Sequence, residues 1–207
     1  MLALQAHAMA FVRKDALYHK AKQSGYRSRA SFKLLELNKS YRIVRDGSKV
    51  VDLGSFPGGW SQVCLEIIGG RGRLIALDLV EMEPFRGDNY KFIRGDFRSE
   101  GMPDQCTGFL GGQADAVISD VSPKLTGIHF ADYSNSVELG LATLEFAKKV
   151  LRPGGNYLVK VFPGEELKQF MAEARKCFSD VSATKPESSR SSSSEMYLVG
   201  RGMKARS

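Results

Sequence analysis

From residue 50 onward, short apolar runs alternate with longer stretches in which apolar residues return every three or four positions. SKVVDLG (48–54), GRLIALDL (72–79), YKFIRGD (90–96), ADAVISD (114–120) and NYLVKVF (156–162) are rich in Val, Ile, Leu and Phe and run into a turn residue or an acid, as strands do. Between several of them lie helical patterns over Trp60 to Ile68, Tyr133 to Val150 and Glu165 to Phe178. In the last of these Leu167, Phe170, Met171, Ala174 and Phe178 recur at helical spacing. Near-continuously apolar strands joined by helical crossovers predict a parallel sheet covered on both faces.

Two further strand-like runs, DVSATKP (180–186) and EMYLVGRG (195–202), are joined by ESSRSSSS. So short a connection predicts an antiparallel hairpin at the end of the sheet. The expected fold is therefore α/β: a doubly wound, mostly parallel, seven-stranded Rossmann-like sheet that ends in a C-terminal antiparallel hairpin. Residues 28–37 read as a helix with Phe32, Leu34, Leu35 and Leu37 on its apolar side. The expected organisation is a basic helical segment over 1–49 packed on the core, the sheet domain over 50–202, and a basic tail over 203–207.

Charge adds a partner to this picture. Residues 1–49 carry eleven Lys or Arg against three acids, a net of +8, and the other 158 residues net −1. A basic segment on a near-neutral domain is the footprint of polyanion binding, with Tyr18, Tyr26, Phe32 and Tyr41 available to stack on bases. No apolar run approaches the ~20 residues of a membrane span, and the mildly apolar Met1 to Phe11 lacks a charged leader and a cleavage site. A cytosolic protein is expected. Cys64, Cys106 and Cys177 form no C-x-x-C pair, so neither a disulfide framework nor a zinc site is indicated.

The stretch VVDLGSFPGGWSQV (50–63) is a strand that meets a glycine-rich turn and restarts as a helix, a place where backbone can approach a ligand closely. A phosphate-binding P-loop would close on Gly-Lys-Ser/Thr, whereas Trp60 follows Gly59 here. A dinucleotide loop would read G-x-G-x-x-G, whereas Gly54, Gly58 and Gly59 are spaced differently around Pro57. What remains is an adenosine ligand without phosphate. Asp78, 26 positions after Asp52, closes the next strand and is suited to the ribose hydroxyls. Asp96 closes the third strand and is suited to the adenine amine. Acids at successive strand ends are the pattern for S-adenosylmethionine.

These residues carry a family resemblance. SRASFKLLEL (28–37), VVDLGSFPGGWSQV (50–63), ISDVSPKLTG (118–127), NYLVKVF (156–162) and SSRSSSSEMYLVGRG (188–202) resemble, in order and over nearly the whole chain, the FtsJ/RrmJ-type ribose 2′-O-methyltransferases. Within that family the chain looks most like single-domain enzymes that methylate a uridine ribose in large-subunit ribosomal RNA. The resemblance implies a catalytic Lys-Asp-Lys-Glu tetrad at Lys33, Asp120, Lys160 and Glu195, with Gly58 and Trp60 as the wall beside the cofactor and Asp120 near its methionine end. Asp120 is followed by Val-Ser-Pro-Lys where bacterial ribosomal enzymes have a sequence closer to Met-Ala-Pro-Asn, and Lys124 adds a cation at the RNA entrance.

Methyl transfer to a hydroxyl needs in-line approach and loss of a proton from a very weak acid. A lysine with pKa about 10.4 is a poor base at neutral pH unless desolvation or a like charge lowers it, and carboxylates raise it again. Lys160 is therefore expected to be the base or the group that positions the hydroxyl, with Lys33 as its neighbour and Asp120 and Glu195 as orienting groups. The expected substrate is ribosomal RNA within the large subunit, met by a monomer without metal. A tRNA anticodon-loop 2′-O-methyltransferase and a non-catalytic RNA-binding or assembly factor on the same fold are the alternatives.

Overall fold

The computed structural model describes residues 16–122, 129–189 and 193–205. Lys124 and the arm residues Arg13 and Lys14 lie outside the described residues, as do the middle of the serine run and the side chain of Tyr18. The chain opens with α1 (Ala16–Gln23) and α2 (Ala30–Tyr41). Then follow β1 (Lys49–Leu53), α3 (Gly59–Ile68), β2 (Arg73–Asp78), β3 (Tyr90–Arg94), α4 (Met102–Leu110), β4 (Ala114–Ser119) and α5 (His129–Val150). It closes with β5 (Leu151–Val161), α6 (Glu165–Cys177), β6 (Phe178–Thr184) and β7 (Met196–Met203).

The seven strands form one sheet in the order β3-β2-β1-β4-β5-β7-β6. The first five strands pair in parallel, β7 runs antiparallel to β5, and β6 pairs antiparallel with β7. The predicted hairpin is present, with its second strand inserted inside the first so that β6 forms the edge. Strand order reverses between β1 and β4, which opens a crevice beyond their carboxyl ends.

Side-chain alternation sends successive residues to opposite faces and builds two cores. Val51, Leu53, Ile75, Leu77, Val117 and Val159 pack on one face against α4, α5 and α6. Val50, Leu74, Ala76, Ala116, Ile118 and Leu158 pack on the other against α2 and α3. On α2, Leu34 and Leu37 are fully buried in that second core. Burying each is worth about 1.5–3 kcal/mol, enough to fix a helix whose propensity alone would leave it marginal. This packing aims Lys33, on the same helix, across the sheet toward the strand ends.

Two elements depart from the sequence reading. Helix α4 was not anticipated: it contains Pro103, Thr107 and Gly108, poor helix formers, and is bounded by Gly101 and Gly111 in left-handed conformation. Its fold comes from burying Met102, Cys106 and Leu110. Strand β5 starts at Leu151, before the Pro-Gly-Gly that reads as a turn, and the register shifts there against β4.

Candidate active site

The crevice at the strand ends holds two adjoining clefts. One, of about 500 Å³, is bordered by Asp78, Val80, Asp96, Phe97 and Leu139. The other, of about 270 Å³, is bordered by Arg29, Lys33, Ser55 and Trp60. Gly54, Phe56 and Asp120 line both, so Asp120 stands at their junction. A larger depression of about 660 Å³, at the opposite strand ends, is lined by Lys148, Lys149, Lys176 and Lys204 and holds none of the predicted site residues.

Asp78 ties two loops together at the larger cleft. Its carboxylate accepts the amides of Phe56 at 2.9 Å and Val80 at 2.8 Å. Asp96 is gripped by Arg98, whose Nη2 donates to Oδ2 at 2.6 Å and whose amide donates to Oδ1 at 2.9 Å. The hydrogen bonds from Arg98 hold the Asp96 carboxyl below its ordinary value. Phe56, Leu79 and Val80, each at least half exposed, all border this cleft. Apolar side chains left in water at a cleft rim mark a surface that something covers.

The four tetrad residues come from α2, the end of β4, β5 and the residue before β7, and the fold brings them together as two ion pairs. Lys33 Nζ pairs with Glu195, and Lys160 Nζ lies 3.3 Å from Asp120 Oδ1 while donating to the Asp120 carbonyl at 2.6 Å. Burial pushes the Glu195 carboxyl up, but the hydrogen bond and charge of Lys33, aided by Lys160, outweigh it and hold the group below its ordinary value. A fifth residue joins them. The Tyr197 hydroxyl donates to Asp120 Oδ1 at 2.8 Å, its ring lies 5.9 Å from Lys33 Nζ, and in the β5–β7 register it stands directly opposite Lys160. Burial first, then the charges of Asp120 and Glu195, raise the Tyr197 phenol well above its usual range, so it stays a donor. Sequence reasoning passed over Tyr197, although it lies two residues beyond Glu195, at the start of the strand that Glu195 precedes.

Behind the site, Asp52 is buried and accepts the Ser61 hydroxyl at 2.7 Å, joining β1 to α3. Burial, augmented by Asp120 and Asp78 and opposed by Ser61, pushes its carboxyl up to about 7. Trp60 is buried, donates its indole N–H to the Ala30 carbonyl at 2.9 Å, and packs 5.7 Å from Tyr197. Gly58 caps α3 with φ +103°, beneath Arg27 and Phe85: a Cβ there would lie 2.9 Å from the Arg27 guanidinium. Gly54, with φ +72°, lets the loop pass Val121, whose Cβ would lie 2.8 Å from an added Cβ.

Among the described residues the basic segment does not form one continuous arm. Lys33 is committed to Glu195, and Arg27 stacks 3.6 Å from the Phe85 ring while donating to the Pro84 carbonyl at 3.2 Å. Tyr26 and Phe32 pack edge to face at 5.7 Å. Arg42 and Arg45 sit past the far end of α2, in a groove with Asn156 and Arg201. Helical geometry carried these charges to opposite ends of the sheet. Among the described residues, no group of three or more His, Cys, Asp or Glu could hold a metal ion, and no helix is long and apolar enough to cross a membrane.

The sequence profile of the FtsJ-like methyltransferases matches residues 26–203. The chain belongs to the FtsJ-like methyltransferase family. It is 46% identical, over 94% of its length and 92% of the relative's, to the ribosomal RNA large subunit methyltransferase E of Methanothermobacter thermautotrophicus. The protein of the same name from Pseudomonas fluorescens is 43% identical over 93% of this chain and 92% of its own. A solved structure described as a putative ribosomal RNA methyltransferase from Plasmodium falciparum superposes with a TM-score of 0.77 at 30% identity, covering 87% of this chain and all of that one. As an FtsJ-like methyltransferase the protein is an enzyme whose cofactor is S-adenosylmethionine.

Proposed function

We propose that this FtsJ-like methyltransferase methylates the ribose 2′-hydroxyl of a nucleotide, a uridine, in large-subunit ribosomal RNA, and that it does so on the assembled subunit. The observation that carries the reading is the meeting of Lys33, Asp120, Lys160 and Glu195 as two ion pairs beside two clefts that share Asp120. The names of the curated relatives support the choice of RNA.

The larger cleft fits the cofactor. The exposed Phe56, Leu79 and Val80 offer an apolar bed for a flat heterocycle, Asp78 and Asp96 offer acceptors to hydroxyl and amine donors, and Asp120 opposes positive charge. When bound, S-adenosylmethionine supplies an electrophilic methyl group on a sulfonium centre. The smaller cleft admits the ribose. Behind its Asp120 wall the Lys160 Nζ, anchored by the Asp120 carbonyl and carboxylate, holds the 2′-oxygen in line. Asp120 is itself fixed by Tyr197. Glu195 takes up the charge of Lys33, and Lys160 enters the step as its neutral amine. A bound S-adenosylmethionine would give up its methyl carbon to the 2′-oxygen, the carbon–sulfur bond breaking with its electron pair left on sulfur. Lys160 accepts the proton the oxygen loses.

The N-terminal helices with their lysines and arginines hold the RNA phosphates in this reading, giving salt-dependent binding. Offering radiolabelled S-adenosylmethionine with tRNA, naked ribosomal RNA and intact large subunits tests it. Incorporation into the large subunit, at a ribose resistant to alkaline cleavage, is expected. Labelling of tRNA alone would replace ribosomal RNA by tRNA as the substrate, and labelling of none of the three would favour an RNA-binding factor.

A further inference from the structure

Glu36 lies one helical turn beyond Lys33 on α2, and its carboxylate is fully engaged by a distant segment. Oε1 accepts the backbone N–H of Glu187 at 2.6 Å. Oε2 accepts the backbone N–H of Ser188 at 3.0 Å and its hydroxyl at 2.8 Å. These partners open the connection between β6 and β7, the connection that ends at Glu195. One face of α2 therefore grips this strap twice, through Glu36 at its start and through Lys33 at its end.

Thr184 and Met196 are joined by eleven residues, serine-rich in sequence. Fixing each backbone residue costs conformational entropy, so a segment of this composition does not hold a carboxylate in one place unaided. The Lys33–Glu195 pair would then have to order the whole loop. Glu36 divides that task by fixing the loop at 187–188, next to buried Pro186. The loop supports itself further in: Lys185 Nζ donates to the Ser193 carbonyl at 2.7 Å and the Glu195 amide to the Ser193 hydroxyl at 3.3 Å. The bonds Glu36 accepts from Ser188 and Glu187 overcome the effect of burial and keep its carboxyl below the ordinary value, so it is ionised and acceptor-only at neutral pH. That suits a group that accepts two amides and a hydroxyl.

We infer that Glu36 is a positioning residue for the tetrad: it clamps the β6–β7 connection to α2 so that Glu195 reaches Lys33. Its carboxylate acts through the loop, with no contact to the reacting atoms required. The inference rests on the proposed role of the tetrad, and its test separates the two.

The experiment compares wild type, Glu36→Ala, Glu36→Gln, Glu195→Gln and the double variant Glu36→Ala with Glu195→Gln. The first measurement, carbon-13 NMR titration of the Glu195 carboxyl, needs no RNA. In Glu36→Ala the Glu195 signal is expected to move up toward the ordinary carboxyl range, because Lys33 and Lys160 no longer face it at fixed distance. The second is methyl transfer. Glu36→Ala should lower kcat roughly 10- to 100-fold, the scale of a misplacement of about 1 Å, while leaving S-adenosylmethionine affinity within about threefold, as expected of a group remote from the larger cleft. Glu36→Gln, which can still accept but offers one carbonyl in place of two oxygens, should fall between. In the double variant the loss should be no greater than in Glu195→Gln alone, the non-additivity of residues acting as a unit. An unmoved Glu195 titration would overturn the clamp whatever the kinetics. Additive losses would overturn action through Glu195. If wild type transfers no methyl group to RNA, the proposed function fails while the titration still decides the clamp.

Discussion

Replacing Asp52 by Asn should make the protein's stability less sensitive to pH in the neutral range. Asp52 Oδ2 accepts the Ser61 hydroxyl, whereas Oδ1 is buried with no hydrogen-bond partner. An unpartnered carboxylate oxygen inside a core favours the protonated form. The folded-state carboxyl is accordingly pushed from 3.8 up to about 7. Below 3.8 both folded and unfolded chains hold the proton, and Asp52 costs nothing. Between 3.8 and about 7 the unfolded chain releases it while the folded chain keeps it, so stability falls as pH rises. Above about 7 both are ionised and the penalty is complete. At 1.36 kcal/mol per pH unit the full penalty is about 4 kcal/mol, and about 3 kcal/mol of it develops between pH 5 and pH 8.

Asn keeps the acceptor for Ser61 but does not titrate. Any fixed cost of its buried amide is the same at every pH, so the change in the difference isolates the carboxyl. Urea unfolding followed by Trp60 fluorescence suits the measurement, because Trp60 is the single tryptophan and lies buried on α3. The stability of Asp52→Asn relative to wild type should rise by about 3 kcal/mol from pH 5 to pH 8 and level off beyond. A difference that stays flat to within about 0.5 kcal/mol, the scatter expected of independent effects, would refute the reasoning.

Other substitutions probe the site more directly. Lys160→Ala and Lys160→Arg should both lower methyl transfer by about 10²–10⁴-fold, Arg because it does not release its proton, with cofactor affinity kept within about threefold; near-wild-type turnover in either would remove Lys160 from the chemistry. Glu195→Gln should destabilise the fold by about 2–3 kcal/mol at neutral pH, since it leaves buried Lys33 without its counter-charge. Because the Glu195 carboxyl is held below 4.5, its contribution is present above that pH and is lost as pH falls through the folded value, so melts of variant and wild type should converge in acid. Gly54→Ala, at φ +72° and with its Cβ 2.8 Å from that of Val121, should cost about 2–4 kcal/mol in denaturant titrations and weaken cofactor binding measured by calorimetry.

The hydrophobic pattern by itself determined all seven strands, three of the helices beyond residue 50, and the antiparallel hairpin, because strand and helix periods are local and each apolar run must be buried. It also singled out Asp78 and Asp96, which sit at or beside strand termini whose direction a parallel sheet fixes, whereas Asp120 and Lys160, at the ends of two further strands, were named by the family resemblance. Helix α4 escaped because its stability comes from burial and not from its own propensity.

Only the tertiary structure decided who pairs with whom. Lys33 with Glu195, Glu36 with Ser188, and Asp120 with Tyr197 are contacts between segments 77 or more positions apart, and no local period encodes them. The same holds for the basic segment, whose even run of charge in sequence becomes a catalytic lysine candidate at one end of α2 and an arginine groove at the other. A helix rises about 1.5 Å per residue, so nine positions separate Lys33 from Arg42 by roughly 14 Å. Composition records how much charge a segment carries; the packing of α2 across the sheet sets which charges reach the crevice.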